Sequence, residues 1–178
     1  MRGYQQVGPI IWFTGPSGAG KSTLANATHA ALSGRWPVEL LDDNEVRLWL
    51  TDESTEDRNI DRIAHVACLL ARNGVAVAVA AVSPLAAARA QARMLAKGLS
   101  IPFIEVSVTA SPEVLMTRRR KTQTSGIVST AYEMPVNSEL AIDTSVEPPK
   151  DSMSHVLALL DAHGILCFDL SFLLTHFD

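Results

Sequence analysis

Eight consecutive residues, Gly15-Pro16-Ser17-Gly18-Ala19-Gly20-Lys21-Ser22, have the spacing G-x-x-x-x-G-K-S, and Thr23 follows. Together these residue types can grip the phosphate chain of a nucleoside triphosphate. The glycines let backbone N–H groups turn inward with no Cβ in the way. A helix starting at the loop adds the positive end of its dipole. Lys21 would reach the β- and γ-phosphates, and the Ser22 hydroxyl would be offered to magnesium. The expected cofactors are therefore ATP and Mg2+, held by Gly15 through Thr23. The motif requires a strand before it and a helix after it. Ile10-Ile11-Trp12-Phe13-Thr14 reads as a buried strand, and Ser22 to Leu32 places Leu24, Ala27, Thr28 and Ala31 on one helical face.

A second reactive cluster is Leu41-Asp42-Asp43-Asn44-Glu45-Val46-Arg47, at the end of the next strand-like run. In an open parallel sheet, ligands bind beyond the carboxyl ends of the strands, so this cluster faces the same crevice as the phosphate loop. A carboxylate there can orient an acceptor hydroxyl, take its proton, or hold magnesium through water. Asp42, nearest the strand, is the first candidate and Asp43 the next. Alternatively, Asp43, Asn44 and Glu45 cap and charge the following helix. Arg47 can reach an anionic substrate or serve as a surface ion-pair partner. Arg58 and Arg62, beside Asn59, share a helix face and can grip an anion in fork geometry or form a solvated face. Ser83-Pro84 follows the central strand at the height of a substrate, or starts the next helix as its N-cap and first residue. Arg118-Arg119-Arg120-Lys121 complements a helix C-terminus, and one of its cations can also lie over a γ-phosphate. His29, His65, His155, His163 and His176 have no ligand-like spacing and receive no catalytic role.

The elements that position these groups alternate along the chain. Strand-like runs at Ile10–Thr14, Val38–Leu41, Val75–Val82 and Phe103–Val108 are separated by helical patterns, the signature of a parallel sheet covered on both faces. The helices are Glu56–Arg72, Leu85–Lys97 and one from an N-cap at Ser111 to about Arg120; a strand at Leu140–Asp143, a Pro148-Pro149 break and a helix at Ser152–His163 complete the pattern. Residues 121–137 lack periodicity and suit a lid. At 178 residues and 47% apolar composition, the chain suits a single domain over residues 1–178. A net charge of −4 argues against a nucleic-acid surface. Cys68 and Cys167 form no metal or disulfide pattern, which suits the cytoplasm, and neither a signal peptide nor a membrane span is visible. The apolar tail Ile165–Asp178 packs on its own domain, the preferred reading, or forms a subunit interface, as in a homodimer.

Taken in order, the pieces resemble the adenylylsulfate kinase family. Gly15 to Thr23 is similar to its phosphate loop, Leu41 to Arg47 to its L-D-G-D-x-V-R motif, and Glu56 to Ile63 to its E-D-R and N-I-x-R-I segments. Val82 to Pro84 is similar to I-S-P, and Tyr132 to Leu140 to Y-E-x-P-x-x-x-E-L. The resemblance covers roughly residues 9 to 145. It implies an α/β fold of the P-loop NTPase kind, a three-layer sandwich around a mostly parallel sheet of about five strands. The activity it implies is transfer of the ATP γ-phosphate to the 3′-hydroxyl of adenylylsulfate, within sulfate assimilation. By resemblance, Lys21, Asp42 and Ser83 fall at catalytic positions, Ser83 matching a serine traditionally described as phosphorylated, while Asp43 is a catalytic candidate by its place in the carboxylate cluster. Asp42, Arg47, Arg58, Asn59, Ser83 and Lys121 fall at positions that meet the substrate.

The sequence also departs from the pattern. Asn44 stands where the family has its second aspartate, and Asp43 replaces the intervening glycine. Thr51 to Thr55 is a shortened version of the segment that carries an adenine-stacking Phe, and the lid lacks F-T-G. These changes leave open a kinase of another nucleotide or small anionic metabolite, weaker binding of adenylylsulfate, and a nucleotide-binding regulatory protein without catalysis.

Overall fold

Val, Ile and Ala dominate the strand segments because the middle of the sheet is covered on both faces and has no solvent side to alternate with, while the edge segments Val38–Asp42 and Leu140–Asp143 keep exposed residues at Glu39, Ala141 and Asp143. In the computed structural model, which describes residues 7–49, 56–122 and 132–166, these segments form one five-stranded sheet. The elements are β1 (Ile10–Thr14), α1 (Lys21–Leu32), β2 (Val38–Asp42), α2 (Asp43–Trp49), α3 (Glu56–Ala71) and β3 (Ala76–Ala80). They continue as α4 (Ala86–Gly98), β4 (Phe103–Thr109), α5 (Pro112–Thr122), β5 (Leu140–Asp143) and α6 (Pro149–Ala162). The strand order is β2-β3-β1-β4-β5 and every pairing is parallel.

Alternate residues of the strands feed two cores. Ile11, Phe13, Ala78, Ile104 and Val106 pack with Leu24, Leu32, Val156 and Leu160 from α1 and α6. Ile10, Trp12, Val77 and Val79 pack with Ile60, Ile63, Ala67 and Ala92 from α3 and α4 on the other face. This is the three-layer α/β sandwich expected of a P-loop kinase. Ala-rich β3 lets the flanking helices approach closely, and the Trp12 and Phe13 rings, both fully buried, supply the bulk on β1.

Three boundaries differ from the sequence reading, each for a local reason. β3 ends at Ala80 because the Val82 N–H turns to the Asp43 carboxylate, at 3.1 Å, and the Val82 carbonyl accepts the Thr14 hydroxyl. Pro148-Pro149 starts α6 instead of breaking the chain, with Pro149 in the first turn, where a missing N–H costs nothing. α4 begins at Ala86 with Leu85 as its N-cap, so Ser83 is not the cap. Ser111 does cap α5, accepting the Val114 N–H at 3.3 Å. The shortened segment Thr51–Thr55, most of the expected lid, and the tail beyond Leu166 lie outside the described residues.

Candidate active site

The carboxyl ends of the five strands deliver Gly15, Asp42, Val82, Ala110 and Thr144 to one side of the sheet. An open cleft of about 520 Å³ lies there, lined by phosphate-loop residues, Thr23, Asp43, Asn44, Val82, Arg118, Thr144 and the start of α6. The loop is held close to the sheet at Gly15, where a Cβ would sit 1.9 Å from the Val108 carbonyl oxygen. It turns into α1 at Gly20, whose φ of 105° suits glycine and few other residues. Pro16, Ser17, Gly18 and Ala19 form the body of the loop, closed by the Ala19 N–H donating to the Pro16 carbonyl at 3.1 Å.

Lys21 is 7% exposed, and its ammonium donates to the Pro16 carbonyl at 3.1 Å across the loop. Burial pulls its pKa below the ordinary 10.5, against the opposing pull of Asp43 and then Asp42. A buried ammonium has lost its hydration, which a phosphate chain can replace with oxygens. Ser22 donates its hydroxyl to Asp42 Oδ2 at 2.5 Å. The other oxygen of Asp42 accepts the Asn44 N–H and the Asn44 side-chain amide, both at 2.9 Å. Asp42 is therefore the residue that caps α2, a task the sequence reading gave to Asp43, Asn44 or Glu45. Asp43 lines the cleft and is buried, with Oδ2 on the Val82 N–H.

Hard oxygen donors gathered at Ser22 and Asp42, beside Asp43, fit magnesium, which keeps several waters and takes few protein ligands. Among the described residues no group of three or more His, Cys, Asp or Glu forms an all-protein cage.

Ser83 is fully buried, and its hydroxyl accepts the Trp12 indole N–H at 3.1 Å. It has a left-handed φ of 45°, costly for a residue other than glycine. Its hydroxyl is engaged inside the protein, and Val82 is the residue of this turn that borders the cleft. Arg58 is exposed near the start of α3, and Asn59, beside it, is 9% exposed. Arg47 falls in α2 and Lys121 in the last turn of α5.

One group was singled out in the sequence without its partners, and another escaped that reading. Arg118 donates to the Gly18 carbonyl at 3.2 Å and the Thr144 hydroxyl at 2.8 Å, while Arg119 donates to the Ser17 carbonyl at 3.0 Å. Thr144 in turn donates to the Ala19 carbonyl at 2.8 Å. The basic run is thus tied to the phosphate loop, not only to the end of its own helix. The second group is a buried set of charges: Arg89, 3% exposed, and Arg93 meet Glu105 and Glu139 under the Ser83 turn. Glu105 in the otherwise buried run Phe103–Thr109 was the available signal, since a charge in such a strand needs a partner.

The chain resembles known proteins along almost its whole length. A family model for adenylylsulphate kinase matches residues 7–154. The adenylyl-sulfate kinase of Myxococcus xanthus is 41% identical, with 91% of this chain and 96% of that protein covered. That of Chloroflexus aurantiacus is 39% identical, over 89% of this chain and 92% of the relative. The APS kinase of Mycobacterium tuberculosis, solved in complex with AMPPNP and APS, superimposes with a TM-score of 0.76 at 30% identity, covering 87% of this chain and 98% of that one. Among the described residues no helix is long and apolar enough to cross a membrane. With a complete phosphate loop facing two buried carboxylates on a parallel sheet, and with this match, the chain belongs to the adenylylsulfate kinase family of kinases.

Proposed function

We propose that this protein is an ATP-dependent adenylylsulfate kinase, acting as one kinase domain over residues 1–178. The observation that carries the reading is the Ser22–Asp42 contact of 2.5 Å at the phosphate loop, with Asp43 lining the same cleft. Gly15 to Thr23 hold the phosphates of ATP, and Lys21 lies against the transferring group. Ser22 and Asp42 would hold magnesium, which would neutralise charge developing on the phosphate oxygens. The acceptor's 3′-hydroxyl lies between the carboxylates and the γ-phosphorus. Its oxygen forms the new bond to phosphorus as the bond to the β-phosphate oxygen breaks, and ADP leaves. Its proton passes to a carboxylate, for which Asp43, the one bordering the cleft, is placed best, while Asp42 orients Ser22.

Arg47, Arg58 and Asn59 hold the anionic end of adenylylsulfate, and Lys121 adds positive charge at the end of α5. Ser83 acts through the backbone of its turn, because its hydroxyl is occupied by Trp12. A reaction fed by ATP, in a chain whose Cys68 is a free thiol, suits the cytoplasm. The test is incubation with ATP and adenylylsulfate, following ADP and the 3′-phosphorylated product together. Equal amounts of both support the reading, and ADP release without that product refutes it.

A further inference from the structure

Arg89 belongs to none of the motifs above, yet it is among the most buried charges in the molecule, at 3% exposure. Its Nη1 donates to the Ser83 carbonyl at 2.6 Å and the Pro84 carbonyl at 3.1 Å, and its Nη2 donates to the Glu133 carbonyl at 2.6 Å. Its Nε lies 3.1 Å from Glu105 Oε1, but that oxygen receives no aligned hydrogen bond. The fork is therefore aimed at backbone, not at the carboxylate beside it. A simple buried ion pair would be oriented the other way.

The two backbone segments that Arg89 joins are far apart in sequence and make further contacts with each other. The Glu133 N–H donates to the Pro84 carbonyl at 2.9 Å, and the Ala86 N–H donates to the Glu133 carboxylate at 2.7 Å. The Tyr132 ring centre is 5.4 Å from the Arg89 guanidinium, and its hydroxyl donates to Thr14 at 3.0 Å. Thr14 donates to the carbonyl of Val82, the residue that borders the cleft, so the assembly runs from Arg89 to the wall of the site. At its centre is Ser83 in its left-handed conformation, which persists only where its surroundings over-determine it.

We infer that Arg89 is a positioning residue for the acceptor: its guanidinium locks the Ser83–Pro84 turn to the Tyr132–Glu133 segment, making one rigid wall on the acceptor side of the cleft. This rests on the acceptor placement proposed above. Among the described residues no hydrogen bond joins Arg89, Ser83 or Glu133 to the phosphate loop, and the assembly comes nearest it at Thr14, the end of β1, so its loss weighs on the acceptor more than on ATP. Lysine at this position keeps the charge beside Glu105 but has no planar fork to span three carbonyls.

The test uses the whole chain as wild type, Arg89→Lys and Glu105→Gln, with steady-state kinetics in ATP and adenylylsulfate and amide hydrogen exchange without ligand. In Arg89→Lys the KM for adenylylsulfate rises at least about tenfold, the effect of losing one hydrogen bond to a charged group, while the KM for ATP stays within about twofold. Exchange at the Ala86 and Glu133 amides quickens together, and Glu105→Gln leaves both KM values near wild type. An unchanged KM for adenylylsulfate in Arg89→Lys overturns the inference, as does an equal rise in both KM values with a lowered Tm, the mark of a purely structural role. Wild-type exchange gives a test independent of any variant: unequal protection of Ala86 and Glu133 would mean that the segments open separately, against the clamp. Absence of wild-type turnover with adenylylsulfate would sink the functional reading, and the exchange data would still judge the clamp.

Discussion

Replacing Asp42 by asparagine separates the two tasks that this carboxylate performs. Its Oδ1 caps α2 through the Asn44 N–H, and its Oδ2 takes the Ser22 hydroxyl proton at 2.5 Å. Asparagine keeps a carbonyl oxygen for the cap and is as good an N-cap as aspartate. It places an NH2 where Oδ2 was, so the Ser22 hydroxyl must turn and accept, and of the two carboxylates beside Lys21 only Asp43 remains charged. A charge-assisted hydrogen bond of about 1.5–3 kcal/mol becomes a neutral one of about 1 kcal/mol, a stability loss of about 1 kcal/mol. For a chain of this size that lowers Tm by about 2–4 °C. The chemical loss is larger, because the proposed magnesium site loses a charged oxygen donor and Ser22 its orientation: turnover falls at least about a hundredfold, or about 2.7 kcal/mol of transition-state stabilisation. Asp42→Ala suffers the same rate loss and loses the cap as well, about 1 kcal/mol more. Initial rates with adenylylsulfate, alongside thermal unfolding of both variants, measure each quantity. Turnover of Asp42→Asn within about threefold of wild type would remove Asp42 from the chemistry; equal Tm losses in the two variants would refute the capping argument.

Lys21→Met abolishes transfer, and it also tests the burial of the ammonium. Because the folded-state pKa lies below 10.5, folding of wild type releases a proton between those two values. Wild-type stability relative to Lys21→Met therefore rises as pH climbs through the lowered pKa and levels off above 10.5. Parallel denaturation curves across alkaline pH would contradict this. Arg58→Ala weakens adenylylsulfate binding about tenfold or more in the presence of ADP and leaves ATP binding alone, the loss of one charge-assisted contact; an unchanged titration removes Arg58 from the anion grip. At Glu139, burial raises the carboxyl pKa, but hydrogen bonds from Arg93 and the Glu105 N–H outweigh it and hold it below 4.5. The pair therefore stabilises the fold above 4.5 and loses that contribution as pH falls through the lowered value. Arg93→Met costs about 1 kcal/mol at neutral pH and flattens the acid limb of the stability curve; an acid limb of unchanged slope shows that the pair is not coupled to folding.

The phosphate loop and its flanking elements were legible because their signal is local: glycines at fixed offsets, one buried strand, one helix. β5 was read at its observed bounds for the same reason, as a short apolar run ending in aspartate. Roles that depend on distant partners were not legible. Arg118 and Arg119 read as cations at a helix end, one of which could lie over the γ-phosphate, and nothing nearby in sequence indicates that their partners are the carbonyls of Gly18 and Ser17. Arg89 sits in an Ala-rich helix that reads as half solvated, and only the fold brings Ser83, Glu133 and Glu105 around it. Asp42 and its neighbours were correctly grouped, but which of them capped α2 depended on where β2 ended. One residue of strand length decides that.

The all-parallel sheet also bears on how the protein is made. Among the described residues the order β2-β3-β1-β4-β5 contains no hairpin, so each strand pairs with a partner reached through a crossover. The phosphate loop is synthesised early, yet its Ala19 carbonyl is held by Thr144 and its Gly18 carbonyl by Arg118. A nascent chain on the ribosome thus carries the entire G-x-x-x-x-G-K-S motif without these supports until Arg118 and Thr144 have been made. Nucleotide capture becomes a late event of biosynthesis, arriving when β5 docks on β4 and not when the motif itself emerges.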